Sequence, residues 1–259
     1  MNERLMPDGA GQGRVAPDNS SNLLNVATLS GSFFLIFTGY TTLQGYLSTT
    51  LPGNTGFKSL SVLYGSYLFF LFFAPAVCLR LGDKASMVVG STCYVLFLAS
   101  LITQQPTVVL IASVLTGFGA SVLWVAQGNF ITMSSNDSNR GRIAGMFWAC
   151  MQASAIIGPA LSYFLLSFLK GSQNALDMTM YTVYTSVAAF GGILLLTLRK
   201  PVLVDQSSIQ GSPSKRQRPT LVQEICAPLL RVLQLCLKRD IMLMLWACFF
   251  IGIEMSFVT

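Results

Sequence analysis

The sequence has no histidine, and only 10 Asp and Glu among 259 residues. Without histidine there is no imidazole for general-base work or metal ligation. Six cysteines are present (Cys78, Cys93, Cys150, Cys226, Cys236, Cys248), four in apolar runs and two in a basic loop, and none shows metal-ligand spacing. They read as small packing residues rather than a disulfide framework. There is no phosphate-cradling glycine loop and no pair of carboxylates, and the plentiful Ser and Thr lack an evident base. Nothing here points to an enzyme, a cofactor or a metal. The scarcity of charge excludes more than chemistry. A soluble domain carries about 25% charged residues, whereas this chain has 10% charged and 53% hydrophobic residues. So few charges cannot cover a water-soluble globule of this size, so the bilayer must solvate most of the surface. The net charge of +6 then raises the question of which side of the membrane the cations occupy, and no nucleic-acid partner is expected.

What is present is a series of apolar runs: Leu23 to Leu47, Ser59 to Leu79, Ser86 to Ile102, Thr107 to Ile131, Ile143 to Leu169 and Met178 to Leu198. Each is near the roughly 20 residues that span about 30 Å of hydrocarbon. A seventh begins near Asp240 and is still running at Thr259. The expected fold is therefore all-α, a polytopic transmembrane bundle of six helices plus a partial seventh. Residues 1–22 are polar and rich in Gly, Asn and Pro, with no signal peptide, and are expected to form a disordered cytosolic tail. The bundle occupies 23–198, a basic linker 199–239 and the truncated seventh helix 240–259.

Short loops force successive helices to alternate in direction. Of the 16 Lys and Arg, only Lys58 and Lys170 then fall on one side, leaving fourteen on the other. The positive-inside rule puts the N-terminus and the fourteen in the cytosol. Two glycosylation patterns, at Asn19 and Asn136, fall on that same side and are expected to stay unmodified. In the linker, Pro201 to Pro219 is polar around Lys215-Arg216-Gln217-Arg218. Thr220 to Arg239 carries Leu221, Ile225, Leu229, Val232, Leu233 and Cys236 at the spacing of an interfacial amphipathic helix.

The first and fourth runs share a pattern: Thr38-Gly39-Tyr40 then Gln44-Gly45, and Thr116-Gly117-Phe118 then Gln127-Gly128. The two runs cross in opposite directions, as a three-plus-three inverted repeat requires. Six helices and a long cytosolic loop match half of a twelve-helix major facilitator transporter. Arg80-Leu81-Gly82-Asp83-Lys84 resembles a shortened form of that superfamily's signature for the loop between its second and third helices. Gly82, Asp83 and Lys84 then read either as a cytosolic gate or as a structural turn. In the fifth run Gly145, Ser154, Gly158, Pro159 and Ser162 resemble the antiporter motif with two serines for glycines, and read as a helix-packing stripe.

Polar and amphipathic residues within the spans are candidates for a substrate or ion pathway: Tyr40, Gln44, Trp124, Gln127, Asn129, Trp148 and Gln152. They line a cavity or bond neighbouring helices. Glu254, deep in the seventh run, joins them as an intramembrane carboxylate.

Several stretches are similar to the Unc-93-like branch of the major facilitator superfamily: Phe37-Thr38-Gly39-Tyr40, Leu63-Tyr64-Gly65, Leu123-Trp124-Val125-Ala126-Gln127-Gly128-Asn129, Gly145-Met146-Phe147-Trp148 and Gly252-Ile253-Glu254. The resemblance implies a transporter fold moving a small solute or ion. The alternative is a non-transporting regulatory or trafficking subunit of other membrane proteins, such as a potassium channel. Members of the family have about twelve helices, so the chain is expected to be a fragment, a mis-predicted product or a short isoform. Its expected partners are the lipid bilayer and another membrane protein or the missing C-terminal half.

Overall fold

The computed structural model describes residues 19–51, 53–135, 138–168 and 173–199, together with Lys238, Ile241, Met242, Trp246 and Phe250. Among the described residues seven helices follow one another: α1 (Asn19–Thr50), α2 (Thr55–Leu71), α3 (Ala74–Leu81), α4 (Asp83–Ile102), α5 (Pro106–Met133), α6 (Arg140–Phe168) and α7 (Gln173–Leu196). The linker, its basic cluster and amphipathic stretch, Glu254 and nearly all of the seventh run lie outside the described residues. Five of the helices are long and apolar enough to cross a membrane, and α2 with α3 makes a sixth span if the pair is counted as one. The chain is an all-α, multi-pass membrane protein.

The second span differs from the single helix expected over Ser59 to Leu79. It is broken, with α2 and α3 bent by 67°. Pro75, in the first turn of α3, explains the break, because it has no N–H to donate to Leu71 and its ring crowds that carbonyl. The helices also run past the apolar boundaries, α1 starting at Asn19 and ending at Thr50. Hydroxyl groups in these extensions bond to the preceding turn: Thr50 Oγ1 donates to the Tyr46 carbonyl at 2.8 Å at the end of α1, and Thr132 Oγ1 to the Gly128 carbonyl at 2.8 Å at the end of α5. Hydropathy counts such residues as polar, while the fold satisfies them locally.

α1 packs on α6 and α7, α5 packs on α2, α3 and α4, and α4 packs on α7. Exchanging the first span with the fourth, the second with the fifth and the third with the sixth maps these contacts onto themselves. That is the arrangement an inverted repeat produces. The register is not the one the sequence pattern suggests. A side chain at Gly39 would lie 2.7 Å from the Tyr184 carbonyl of α7, whereas one at Gly117 would run into Ser66 and the Leu63 carbonyl of α2. The α5 glycine that faces α4, the counterpart of α7, is Gly119, against Cys93. The matching Thr-Gly pairs therefore do different packing jobs.

Burial is unequal. α1 and α5 are 61% and 56% buried over their most apolar windows, but α6 is only 22% buried. Phe33, Ile36, Leu43 and Leu47 of α1 are fully enclosed, which makes α1 and α5 the inner helices and leaves α6 a single packed stripe.

Candidate functional site

Aromatic residues from four helices meet at the middle of the bundle. The Trp124 ring of α5 lies 5.7 Å from Phe33 and 5.3 Å from Phe37, both on α1. It stacks on Trp148 of α6 at 5.8 Å, with the planes 12° apart. Tyr40 meets Tyr94 of α4 edge-on at 4.8 Å, and Phe37 meets Tyr94 at 5.4 Å. Phe147 closes the group against Phe33 at 5.1 Å. Edge-to-face and offset stacking of this kind adds about 0.5–1.5 kcal/mol per pair beyond area burial.

The cluster has polar atoms at its margins. Gln44 Nε2 donates to the Tyr64 hydroxyl at 2.8 Å. The Tyr40 hydroxyl lies near that of Tyr64, and the Tyr94 hydroxyl near the Trp124 indole N–H. The two ends are open, since Tyr64 and Trp148 are each 48% exposed. Both ends bridge helix pairs that otherwise touch little: Gln44–Tyr64 spans α1 and α2, and Trp124–Trp148 spans α5 and α6. These two gaps are equivalent under the exchange described above. Around them Gly45, Gly65, Gly128 and Gly145 have open space where a side chain would stand. A shallow depression over Asn54, Phe57, Lys58, Ser61 and Val62 continues the α2 face one turn beyond Tyr64.

Of the residues singled out in the sequence, the structure brings Tyr40, Gln44, Trp124 and Trp148 into this cluster. Gln152 is exposed one turn beyond Trp148. Gln127 is buried within the packing face of α5. Asn129 is elsewhere, its Nδ2 reaching Asp83 Oδ1 at 3.4 Å, and so ties the end of α5 to the Gly82-Asp83-Lys84 turn. Sequence reasoning missed Tyr64, Tyr94, Phe33, Phe37 and Phe147 as members. Phe37, Tyr64 and Phe147 were visible only as parts of family-like stretches, and Phe33 and Tyr94 carried no signal of their own. Their grouping depends on contacts between residues far apart in the chain.

At the turn, Gly82 has φ 80° and ψ 156°, a backbone region open essentially to glycine alone. Its N–H bonds the Cys78 carbonyl at 2.8 Å and its carbonyl accepts from Ser86 N–H at 3.0 Å, so it caps α3 and starts α4. Asp83 is the first residue of α4, where a carboxylate suits the helix dipole, and Lys84 is exposed.

In the α6 stripe, Ser154, Gly158 and Ser162 are buried, while Gly145 and Pro159 are exposed. A methyl group at Gly158 would meet the Thr42 hydroxyl and lie 3.1 Å from the Thr38 carbonyl, so α1 approaches closely here. Tyr184 of α7 donates to the Gly158 carbonyl at 2.7 Å, and its oxygen lies 2.6 Å from Ser162 Oγ. Ser162 is therefore the donor to Tyr184, and the pair pins α6 to α7 beside Pro159.

The family profile described as "Ion channel regulatory protein UNC-93" matches residues 48–259. The chain is 28% identical over 255 residues to the UNC93-like protein MFSD11 of Xenopus tropicalis, covering 92% of this chain and 56% of that one. It is 29% identical over 221 residues to UNC93-like protein 3 of Arabidopsis thaliana, covering 82% and 47%. Among solved structures it resembles the E. coli fucose:proton symporter FucP, with a TM-score of 0.57 at 17% identity over 71% of this chain and 51% of that one. A further structure, of FucP as a major facilitator transporter in the outward conformation, gives 0.54 at 20% identity over 75% and 53%. The chain spans about half the length of these proteins.

Proposed function

We propose that this chain, which belongs to the UNC-93 family and has the fold of one half of a major facilitator protein, supplies one wall of a pathway for a small solute or ion. The observation that carries this reading is the aromatic and amide cluster of Tyr40, Gln44, Tyr64, Trp124 and Trp148, open at both ends on the four helices whose glycines face free space. Aromatic faces with a few fixed polar atoms are what small-molecule sites are built from. The test is reconstitution in liposomes, with the chain alone and joined to the second half of a full-length relative. Proton flux is followed with an internal pH dye and alkali-ion flux with radioactive rubidium, alongside a panel of labelled neutral solutes. Saturable flux that Gln44→Ala lowers severalfold is the expected result. Absence of flux from both forms would remove the reading.

A second reading rests on the family's description as an ion channel regulatory protein. In it the same open face seats a helix of another membrane protein. Co-purification of a channel in the absence of flux supports this version.

For orientation we place the N-terminus in the cytosol. The start of α1 and the end of α7 lie together, with the Arg199 N–H donating to Asn25 Oδ1 at 3.3 Å. The alternation of helices puts Arg80, Lys84, Arg140 and Arg142 at that same end. Lys58 and Lys84 are both exposed at opposite ends. In a cysteine-free background, Lys58→Cys is expected to react with an impermeant maleimide in intact cells or from the lumenal side of organelle vesicles, and Lys84→Cys only after permeabilisation. The reverse pattern would overturn the orientation.

A further inference from the structure

At the α1–α2 margin of the aromatic cluster Gln44 makes one hydrogen bond, from its Nε2 to the Tyr64 hydroxyl at 2.8 Å. A primary amide has two N–H donors and a carbonyl with two lone pairs. The Tyr64 bond occupies one donor, and the Gln44 carbonyl oxygen and second N–H have no partner among the described residues. Gln44 is half-buried, so water reaches these atoms, and a ligand that replaces the water must offer equivalent partners. Gly45 and Gly65, the chain neighbours of Gln44 and Tyr64, have nothing within 4 Å of where a side chain would stand. The amide therefore stands beside open space, and the Tyr64 ring beside it is 48% exposed.

Charge is absent from this wall. α1 and α5 contain no Asp, Glu, Lys or Arg. α2 and α6 carry only Lys58, Arg140 and Arg142, all in their first turns. Lys58 precedes Tyr64 by about 9 Å along the helix, at about 1.5 Å per residue. It is exposed to water, and salt screens an exposed charge over about that distance. A charged solute leaving water for this wall would lose hydration and gain no counter-charge.

We propose that the Gln44–Tyr64 pair recognises a planar, uncharged solute with an amide-type edge, either a carboxamide or the lactam edge of a ring. Gln44 sets an acceptor beside a donor, and such an edge offers the complementary donor and acceptor. The flat ring that carries the edge suits an exposed aromatic side chain, on which planar groups stack. The Tyr64 hydroxyl holds the Gln44 amide in place, so Tyr64 is a positioning residue as well as a stacking face. The inference rests on the reading of this face as one that meets a small solute, and it narrows that solute from ions and charged molecules to neutral rings.

The test is ligand-observed saturation-transfer NMR on the purified chain in detergent, which reads binding without requiring flux. The probes are two matched sets: nicotinamide with its carboxylate nicotinate and its cation 1-methylnicotinamide, and uracil with its carboxylate orotate. Saturable binding of nicotinamide or uracil, at least about tenfold tighter than that of the charged partners, is expected. Gln44→Leu is expected to weaken it at least about tenfold, and Tyr64→Phe, which keeps the ring, about threefold. Gln44→Glu is expected to move the preference at least about tenfold toward 1-methylnicotinamide, because a carboxylate supplies the counter-charge the wall lacks. No saturable binding of either neutral probe overturns the proposal. So does binding that the charged partners match, or that Gln44→Leu leaves unchanged in a variant that elutes normally. If Gln44→Leu does not fold, undiminished binding in Tyr64→Phe together with unchanged selectivity in Gln44→Glu overturns it. Binding with the expected preferences in a chain that gives no flux supports the solute class while removing the pathway. Saturable flux of protons or rubidium without binding of the neutral probes keeps the pathway and overturns the solute class.

Discussion

Gly119→Leu is expected to abolish the folded, monodisperse protein, while Gly128→Ala nine residues further along the same helix leaves it intact or slightly more stable. The contrast follows from where α5 touches its neighbours. At Gly119 a methyl group would run into Cys93 of α4 and lie 3.0 Å from the Gly90 carbonyl, and one at Gly90 would lie 2.6 Å from the Gly119 carbonyl. Each glycine makes room for the backbone of the other, so a side chain at either forces the helices apart rather than a rotamer aside. In lipid there is little hydrophobic force to bring helices together, and van der Waals packing at small residues does much of that work. Overpacking a soluble core costs about 1–3 kcal/mol, occasionally more, and a leucine against backbone belongs at the upper end. Gly128 is exposed with nothing within 4 Å, and there alanine gains about 0.5–1 kcal/mol of helix stability. The measurement is size-exclusion elution and thermal unfolding in detergent. Normal elution and an unchanged melting temperature for Gly119→Leu would mean that this crossing does not hold α4 to α5.

How much of this was legible in the sequence depends on the range of the interaction. The membrane class and helix order were readable because hydropathy is local, and charge alternation needs only loop lengths. The bend of the second span was also a local signal, Pro75, which a window of average hydropathy smooths away. Gly82 belonged to a recognised pattern, and the structure adds its physical reason in a positive φ. The glycine contacts were not readable. Gly39, Gly117 and Gly128 look alike in sequence, yet one faces α7, one faces α2 and one faces nothing, because helical phase against a distant partner decides each case. The same applies to the aromatic cluster. Trp124 and Trp148 stood out as amphipathic side chains within apolar runs, but Phe33 and Tyr94 look like any core residue until α4, α5 and α6 are placed against α1.

The stacked tryptophans separate the packing role of the cluster from its proposed functional role. Trp124 is wedged among Phe33, Phe37 and Tyr94, so Trp124→Ala removes a large ring from between three helices. Such a truncation costs about 3–5 kcal/mol in a packed core, and the expected outcome is loss of most of the folded protein. Trp148 stacks on the outer face of Trp124, meets the neighbouring Phe147 ring edge-on and is half exposed. Trp148→Ala therefore is expected to move the melting temperature by no more than about 2–4 °C, since only a partly buried side chain and two ring contacts, one of them to its chain neighbour, are lost. If the open face is the wall of a pathway, the same substitution lowers flux in the reconstituted system at least about tenfold, because the exposed ring is what a passing solute meets. If the face instead seats a partner helix, flux plays no part and Trp148→Ala weakens co-purification, as expected of an aromatic anchor at an interface. Unaltered flux together with unaltered association, in a variant that melts normally, would leave Trp148 a lipid-facing residue. The proposed site would then have to move from the mouth of the cluster to the α2 face around Tyr64, whose hydroxyl and Gln44 partner would become the next positions to substitute.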